Sequence, residues 1–277
     1  HTEAEDGFQA VLNEAFDVNW AELDAERSKE KLNEILKDID PSVTDLVYTF
    51  STPVAKIAKG VIKDIPVVFN VTYDPVRSEI VDSWERSGCN LVGGSVKVSA
   101  EGQINILRKI VDFKKLGIIY TPKESNSVIC LKDLTALEKQ FDFKAFPAEY
   151  NSEADVNSAI RVLDEAKVDA VIFAAGSTLA ATAATVAKPL IERKLPSLSI
   201  TKDMAKEGVL ISLGVDYERL GREVGELAIR VLKGENTAEM KSIMLKNYDL
   251  VINQKTADQI GVKIPMTVLR MAKELIK

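Results

Sequence analysis

Residues 44–75 read TDLVYTFSTPVAKIAKGVIKDIPVVFNVTYDP, and residues 168–204 read VDAVIFAAGSTLAATAATVAKPLIERKLPSLSITKDM. Both run in the same order: an Asp, an apolar run of strand length, a Ser-Thr pair, an Ala-rich amphipathic stretch, and a Pro that introduces a second apolar run. Unbroken apolar runs on either side of a helical pattern mark a βαβ unit whose strands are covered on both faces. Two such units so far apart imply two similar lobes. In open parallel sheets small ligands sit beyond the carboxyl ends of the strands, where both Ser-Thr pairs fall. A ligand held between the lobes would touch both pairs.

The same alternation extends outward. Helices are expected at Glu3–Ala15, with Phe8, Val11, Leu12 and Ala15 on one face, and at Asp24–Asp38, with Leu32, Ile35 and Leu36 inward. Asp17–Leu23 is a strand candidate between them. A helical stretch is expected from Asp74-Pro75 to Ser87, a strand at Asn90–Val98 broken by two glycines, and a helix at Glu101–Asp112. Strands at Leu116–Tyr120 and Phe143–Ala148 flank a helix at Asn126–Phe141, and a helix at Glu153–Ala166 precedes the second copy. The tail reads as a strand (Leu210–Val215), a helix (Tyr217–Leu232), two short β pieces in Ser242–Ile252, and helices at Thr256–Ile260, capped by Gly261, and Met266–Ile276. No Pro/Gly/Ser linker separates the lobes, so the chain is expected to cross between them more than once. The expected class is α/β: two doubly wound lobes with parallel sheets.

The chain has 277 residues, 46% of them hydrophobic, enough to bury a substantial core. A formal charge of −6 argues against nucleic acid, which demands a basic face to neutralise phosphates. Cys89 and Cys130 cannot define a disulfide framework and lack metal-ligand spacing, so each reads as a buried or idle thiol. His1, the only histidine, reads as a terminus. No run of 18 apolar residues occurs. The sequence opens in an acidic helical pattern with no strand before it, so a leading strand and an export signal are expected upstream.

Motifs that carry catalytic chemistry are absent from the sequence. There is no GxGxxG, GxxxxGK[ST], HExxH or GxSxG motif, and with a single histidine a His-dependent triad has no partner. No catalytic residue, metal or cofactor is expected. A nucleotide- or sugar-using α/β enzyme and the effector-binding core of a regulator are the alternative readings. The first would need a Gly-rich phosphate loop, the second a DNA-binding helix-turn-helix, and neither is seen.

The binding candidates lie just past strand ends. Ser51 and Thr52, and Ser177 and Thr178, begin helices, where free N–H groups and the dipole favour a ligand carboxylate. Ser51 or Thr52 also suits an N-cap before Pro53. Asn126 and Ser127 place an amide and a hydroxyl at another helix start. Asp74 and Asp216 are candidates to receive an ammonium group, although Asp74 also suits a turn and Asp216 a cap on the following helix. Of the aromatic residues near these turns, Tyr73 and Tyr217 are the wall candidates, Phe50 and Tyr120 lie close by, and Phe173 reads as core; Trp20 and Trp84 read as packing.

Four stretches carry a resemblance: DIPVVFNVTYDPV (64–76), LGIIYTPKESNS (116–127), LGVDYERLGREVGELAIRVLKGE (213–235) and YDLVINQKTADQIGVKIPMTVL (248–269). In this order they resemble the TrpX-like group of ABC-transporter substrate-binding proteins, over nearly the whole chain. The resemblance implies a type I periplasmic-binding-protein fold with a three-crossing hinge and a ligand cleft between lobes of residues 1–97 with 217–247 and 98–216 with 248–277. It implies a small ligand such as an aromatic or branched amino acid, delivery to a membrane permease, a monomer, and a location in the periplasm or on a lipid anchor at the outer face of the cytoplasmic membrane. The chain departs from the group at Thr121, where Asn is common, and at Cys89, where Gly is usual.

Overall fold

A computed structural model describes residues 2–26 and 28–277; His1 and residue 27 lie outside the described residues. In chain order the elements are α1 (Glu3–Ala15), α2 (Lys29–Lys37), β1 (Val47–Phe50), α3 (Thr52–Val61), β2 (Val67–Thr72), β3 (Leu91–Ser95), α4 (Ala100–Arg108), β4 (Lys115–Tyr120), α5 (Ser125–Thr135), β5 (Lys144–Glu149) and α6 (Val156–Ala166). They continue with β6 (Ala170–Phe173), α7 (Ser177–Ala181), α8 (Ala183–Glu192), β7 (Ser197–Ser199), β8 (Ile211–Gly214), α9 (Tyr217–Leu232), β9 (Ile243–Met244), β10 (Asp249–Asn253), α10 (Gln254–Ile260), α11 (Met266–Leu269) and β11 (Ala272–Ile276). Two compact units result: residues 1–97 with 216–246, and residues 98–215 with 247–277. The chain therefore passes from one to the other three times.

The first unit is built on a four-stranded sheet in the order β1-β2-β3-β9, every pair parallel. Its core gathers Ala55 and Ala58 from α3, Ile62 just after it, Val67 and Phe69 from β2, Leu91 from β3, and Ile80 and Val81 from the loop after β2. Each Val, Leu, Ile or Phe side chain among them stabilises the fold by about 1.5–3 kcal/mol when fully buried. Helix α1 packs along α9 at very short range: a Cβ on Gly221 would sit 2.1 Å from the Ala4 carbonyl oxygen, and one on Gly7 would sit 2.4 Å from that of Glu218. Glycine is required there because the two backbones touch.

The second unit carries a seven-stranded sheet, β11-β10-β8-β7-β6-β4-β5, parallel except between β10 and β8. Strand β6 is buried at all four positions, as a strand covered on both faces must be. Its core joins Ile160 and Leu163 of α6, Val171 and Phe173 of β6, Leu179 of α7 and Val186 and Leu190 of α8. Strand β4 leads outward to β5, whereas β6 leads the other way to β7 and β8. The order of connection thus reverses between β4 and β6, and a crevice beyond their carboxyl ends is the place where such sheets take ligands.

Several expectations fail for physical reasons. Asp17–Leu23 is irregular, because no strand among the described residues lies beside it to complete a ladder; Trp20 instead stacks edge-on to Phe8 and donates its indole N–H to Asn13. Ala15 is exposed rather than on the buried face of α1. The helix expected from Asp24 begins at Lys29, after its Ser28 cap. The stretch from Asp74 to Ser87 forms turns: Glu79 adopts φ +61°, and the Ile80 and Val81 amides both donate to the Pro75 carbonyl, so no helical ladder propagates. Met266–Ile276 is one helical turn followed by β11, whose period-two burial fits its parallel pairing with β10.

Candidate functional site

In the first unit, β1 and β2 end side by side, with Phe50 opposite Asn70. Three non-glycine residues at this end have left-handed backbone: Ser51 after β1 at φ +84°, Val71 in the irregular last part of β2 at +55°, and Asp74 after β2 at +42°. A β-branched residue such as Val71 is least suited to that region, and strain of about 1–3 kcal/mol per residue persists only where surrounding contacts impose it. Ser51 stands at the N-cap position of α3, but its side chain makes no capping bond. The Thr52 hydroxyl instead accepts the Tyr73 N–H at 2.9 Å, tying the β1 and β2 turns together. Tyr73, expected to form a wall, is only 1% exposed and belongs to the interior.

Asp74 is 2% exposed; its carboxylate accepts from Lys97 Nζ and from the Arg77 N–H. That charge is already met by a cation. Asp216 caps α9, accepting the Arg219 N–H at 2.9 Å, and Tyr217 is the half-buried first residue of that helix. These groups all belong to the first unit.

In the second unit the turn after β4 lies against the turn after β6. Ser127 is fully buried and its hydroxyl accepts the Thr121 N–H at 2.9 Å; Asn126 is 9% exposed, and its Oδ1 has no hydrogen-bond partner among the described residues. The buried Thr121 Oγ1 has none either. Ser177 and Thr178 do begin a helix, but their donors are engaged. The Glu124 carboxylate accepts the N–H and the hydroxyl of both residues, with the Ser177 N–H at 2.7 Å and the Thr178 N–H at 2.9 Å. The sequence reading missed Glu124, whose place before α5 looks like an ordinary cap. It makes no side-chain capping bond on its own helix; its partners are 53 and 54 residues away, a separation no local pattern reveals.

The aromatic residues sort by depth. Phe173 is core, and Tyr120 is half-buried and donates to Glu149 at 3.0 Å. Burial, and then that carboxylate, hold the Tyr120 phenol above its usual range. Cys89 is half-buried and Cys130 buried, and neither forms a disulfide among the described residues. Among the described residues no group of three or more His, Cys, Asp or Glu side chains is placed to hold a metal ion, and no helix is long and apolar enough to cross a membrane.

The tyrosine-binding protein of Clostridioides difficile (strain R20291) is 31% identical over 213 residues, which are 76% of this chain and 61% of that protein. The chain thus spans about three fifths of that curated relative's length. An ABC domain from Streptococcus pneumonia, solved in complex with L-Trp, superposes with a TM-score of 0.90 at 26% identity, covering 99% of this chain and 95% of that one. A conserved domain protein from Vibrio cholerae O1 biovar El Tor gives a TM-score of 0.90 at 25% identity, covering 99% and 94%. The fold is that of the type I periplasmic binding proteins. The family model described as ABC transporter substrate binding protein matches residues 2–276. With two α/β units, a threefold passage of the chain between them and this match from end to end, the chain belongs to the ABC transporter substrate-binding protein family.

Proposed function

We propose that this chain captures a free amino acid with an aromatic side chain and presents it to the permease of an ABC importer at the outer face of the cytoplasmic membrane. No bond is made or broken in this role. Polar groups at the strand tips of each unit contribute to holding the ligand: Ser51 and Thr52 in the first, Asn126 and Ser127 in the second, with Tyr217 against the side chain. The observation that carries the reading is the reversal of strand order between β4 and β6, beyond which buried Asn126 and Thr121 oxygens stand without partners. A buried polar atom left unsatisfied costs about 1–3 kcal/mol, which a ligand hydrogen bond recovers. The relatives named for tyrosine and solved with L-Trp support an amino acid as that ligand.

A thermal-shift panel of amino acids, sugars, nucleotides and purines tests this. A ligand present at a thousand times its Kd stabilises the folded state by about 4 kcal/mol, a clear rise in melting temperature. L-tyrosine or L-tryptophan is expected to give that rise. A rise with ATP or NAD alone would replace binding by enzymology as the reading.

A further inference from the structure

An amino-acid ligand brings an ammonium group, and carboxylates near strand tips are candidates to receive it; Glu149, at the end of β5, is exposed and accepts the Tyr120 hydroxyl. Asp74 is paired with Lys97, and Asp216 caps α9. Glu124 differs from all three. It is half-buried, it has no ion-pair partner among the described residues, and it stands where the strand order reverses. Its four hydrogen bonds come from two N–H groups and two hydroxyls; Oε1 takes three of them and Oε2 only the Ser177 N–H. A carboxylate offers about four lone-pair positions over two oxygens, so Oε2 retains an acceptor site.

We propose that Glu124 receives the ammonium group of the ligand, with Asn126 Oδ1 and Thr121 Oγ1 as the accompanying acceptors. An ammonium carries three donors, and three acceptors, one of them charged, match that number. The two neutral oxygens are buried and unpartnered, and both belong to the seven-residue turn and helix start that contain Glu124. Gly176 keeps this corner compact, since a Cβ there would lie 3.1 Å from Glu124 Oε2 and 3.6 Å from Ser127 Oγ. Ser177 and Thr178 then serve the ligand indirectly: they hold a carboxylate of the protein in place and do not take the carboxylate of the ligand. Neutral donors that fix a charged group in advance spare the ligand the cost of ordering it.

This inference rests on the amino-acid reading above, and the test separates the two. Binding of L-tyrosine and of its des-amino analogue, 3-(4-hydroxyphenyl)propionate, and likewise of L-tryptophan and indole-3-propionate, is measured by calorimetry on the intact chain and on Glu124→Gln. The unaltered chain should prefer the amine-bearing ligand by at least tenfold, and in Glu124→Gln that ratio should fall to about one. If both ligands of a pair weaken together and the ratio persists, Glu124 is only a brace and the inference is wrong. If the unaltered chain binds neither amino acid, the functional reading fails first. Should Glu124→Gln not fold, Thr178→Val, which removes one hydroxyl from the carboxylate, provides the same ratio: a reduced preference supports the assignment and an unchanged one overturns it.

Discussion

At the scale of single residues, two of the candidate side chains, Asp74 and Thr52, have hydrogen-bond partners within the first unit. Asp74 is 2% exposed, and its Lys97 partner is 23% exposed. Removing the Asp74 carboxylate takes a buried acceptor from the Arg77 N–H and from Lys97, at about 1–3 kcal/mol. Asp74→Ala should therefore destabilise the first unit by about 1–3 kcal/mol in urea unfolding, and the double variant with Lys97→Ala should cost less than the sum of the singles. Asp74→Ala should leave the preference for amine-bearing over des-amino ligands intact; a lost preference would return Asp74 to the ligand. Thr52→Val removes the acceptor of the Tyr73 N–H and should cost about 1 kcal/mol by the same measurement. The sequence showed which residues stand at strand ends. It did not show their partners, because Lys97 lies 23 positions from Asp74, and Ser177 lies 53 from Glu124.

Elements were legible wherever a local pattern and a tertiary partner agree. Helix α9 was read with its observed bounds, since its apolar stripe faces α1 and Asp216 caps it. Met266–Ile276 failed because its apolar residues fit either period, and pairing with β10 decides for a strand after one helical turn. The Asp74–Ser87 stretch failed because apolar spacing does not report the left-handed Glu79. The touching helices α1 and α9 yield a paired prediction. Gly221→Ala forces a methyl against the Ala4 backbone and should lower stability by about 1–3 kcal/mol. Gly60→Ala, on the exposed side of α3 with nothing within 4 Å, should raise it by about 0.5–1 kcal/mol. Equal effects from both substitutions would mean that the helix contact is not close.

For the whole molecule, the repeated βαβ pattern and the absence of a linker already implied two α/β lobes, because buried parallel strands write long apolar runs into the sequence. The identity of the ligand was not legible, since it depends on which polar atoms folding leaves unsatisfied. If an aromatic amino acid is buried, its binding should carry a negative heat-capacity change, measured by titration at several temperatures. The most direct test of the account is a calorimetric titration of the purified chain with L-tyrosine and L-tryptophan beside ribose and ATP. The account predicts saturable one-to-one binding of at least one of the two amino acids, and no heat from the sugar or the nucleotide. Saturation by ribose or ATP with neither amino acid bound would contradict it.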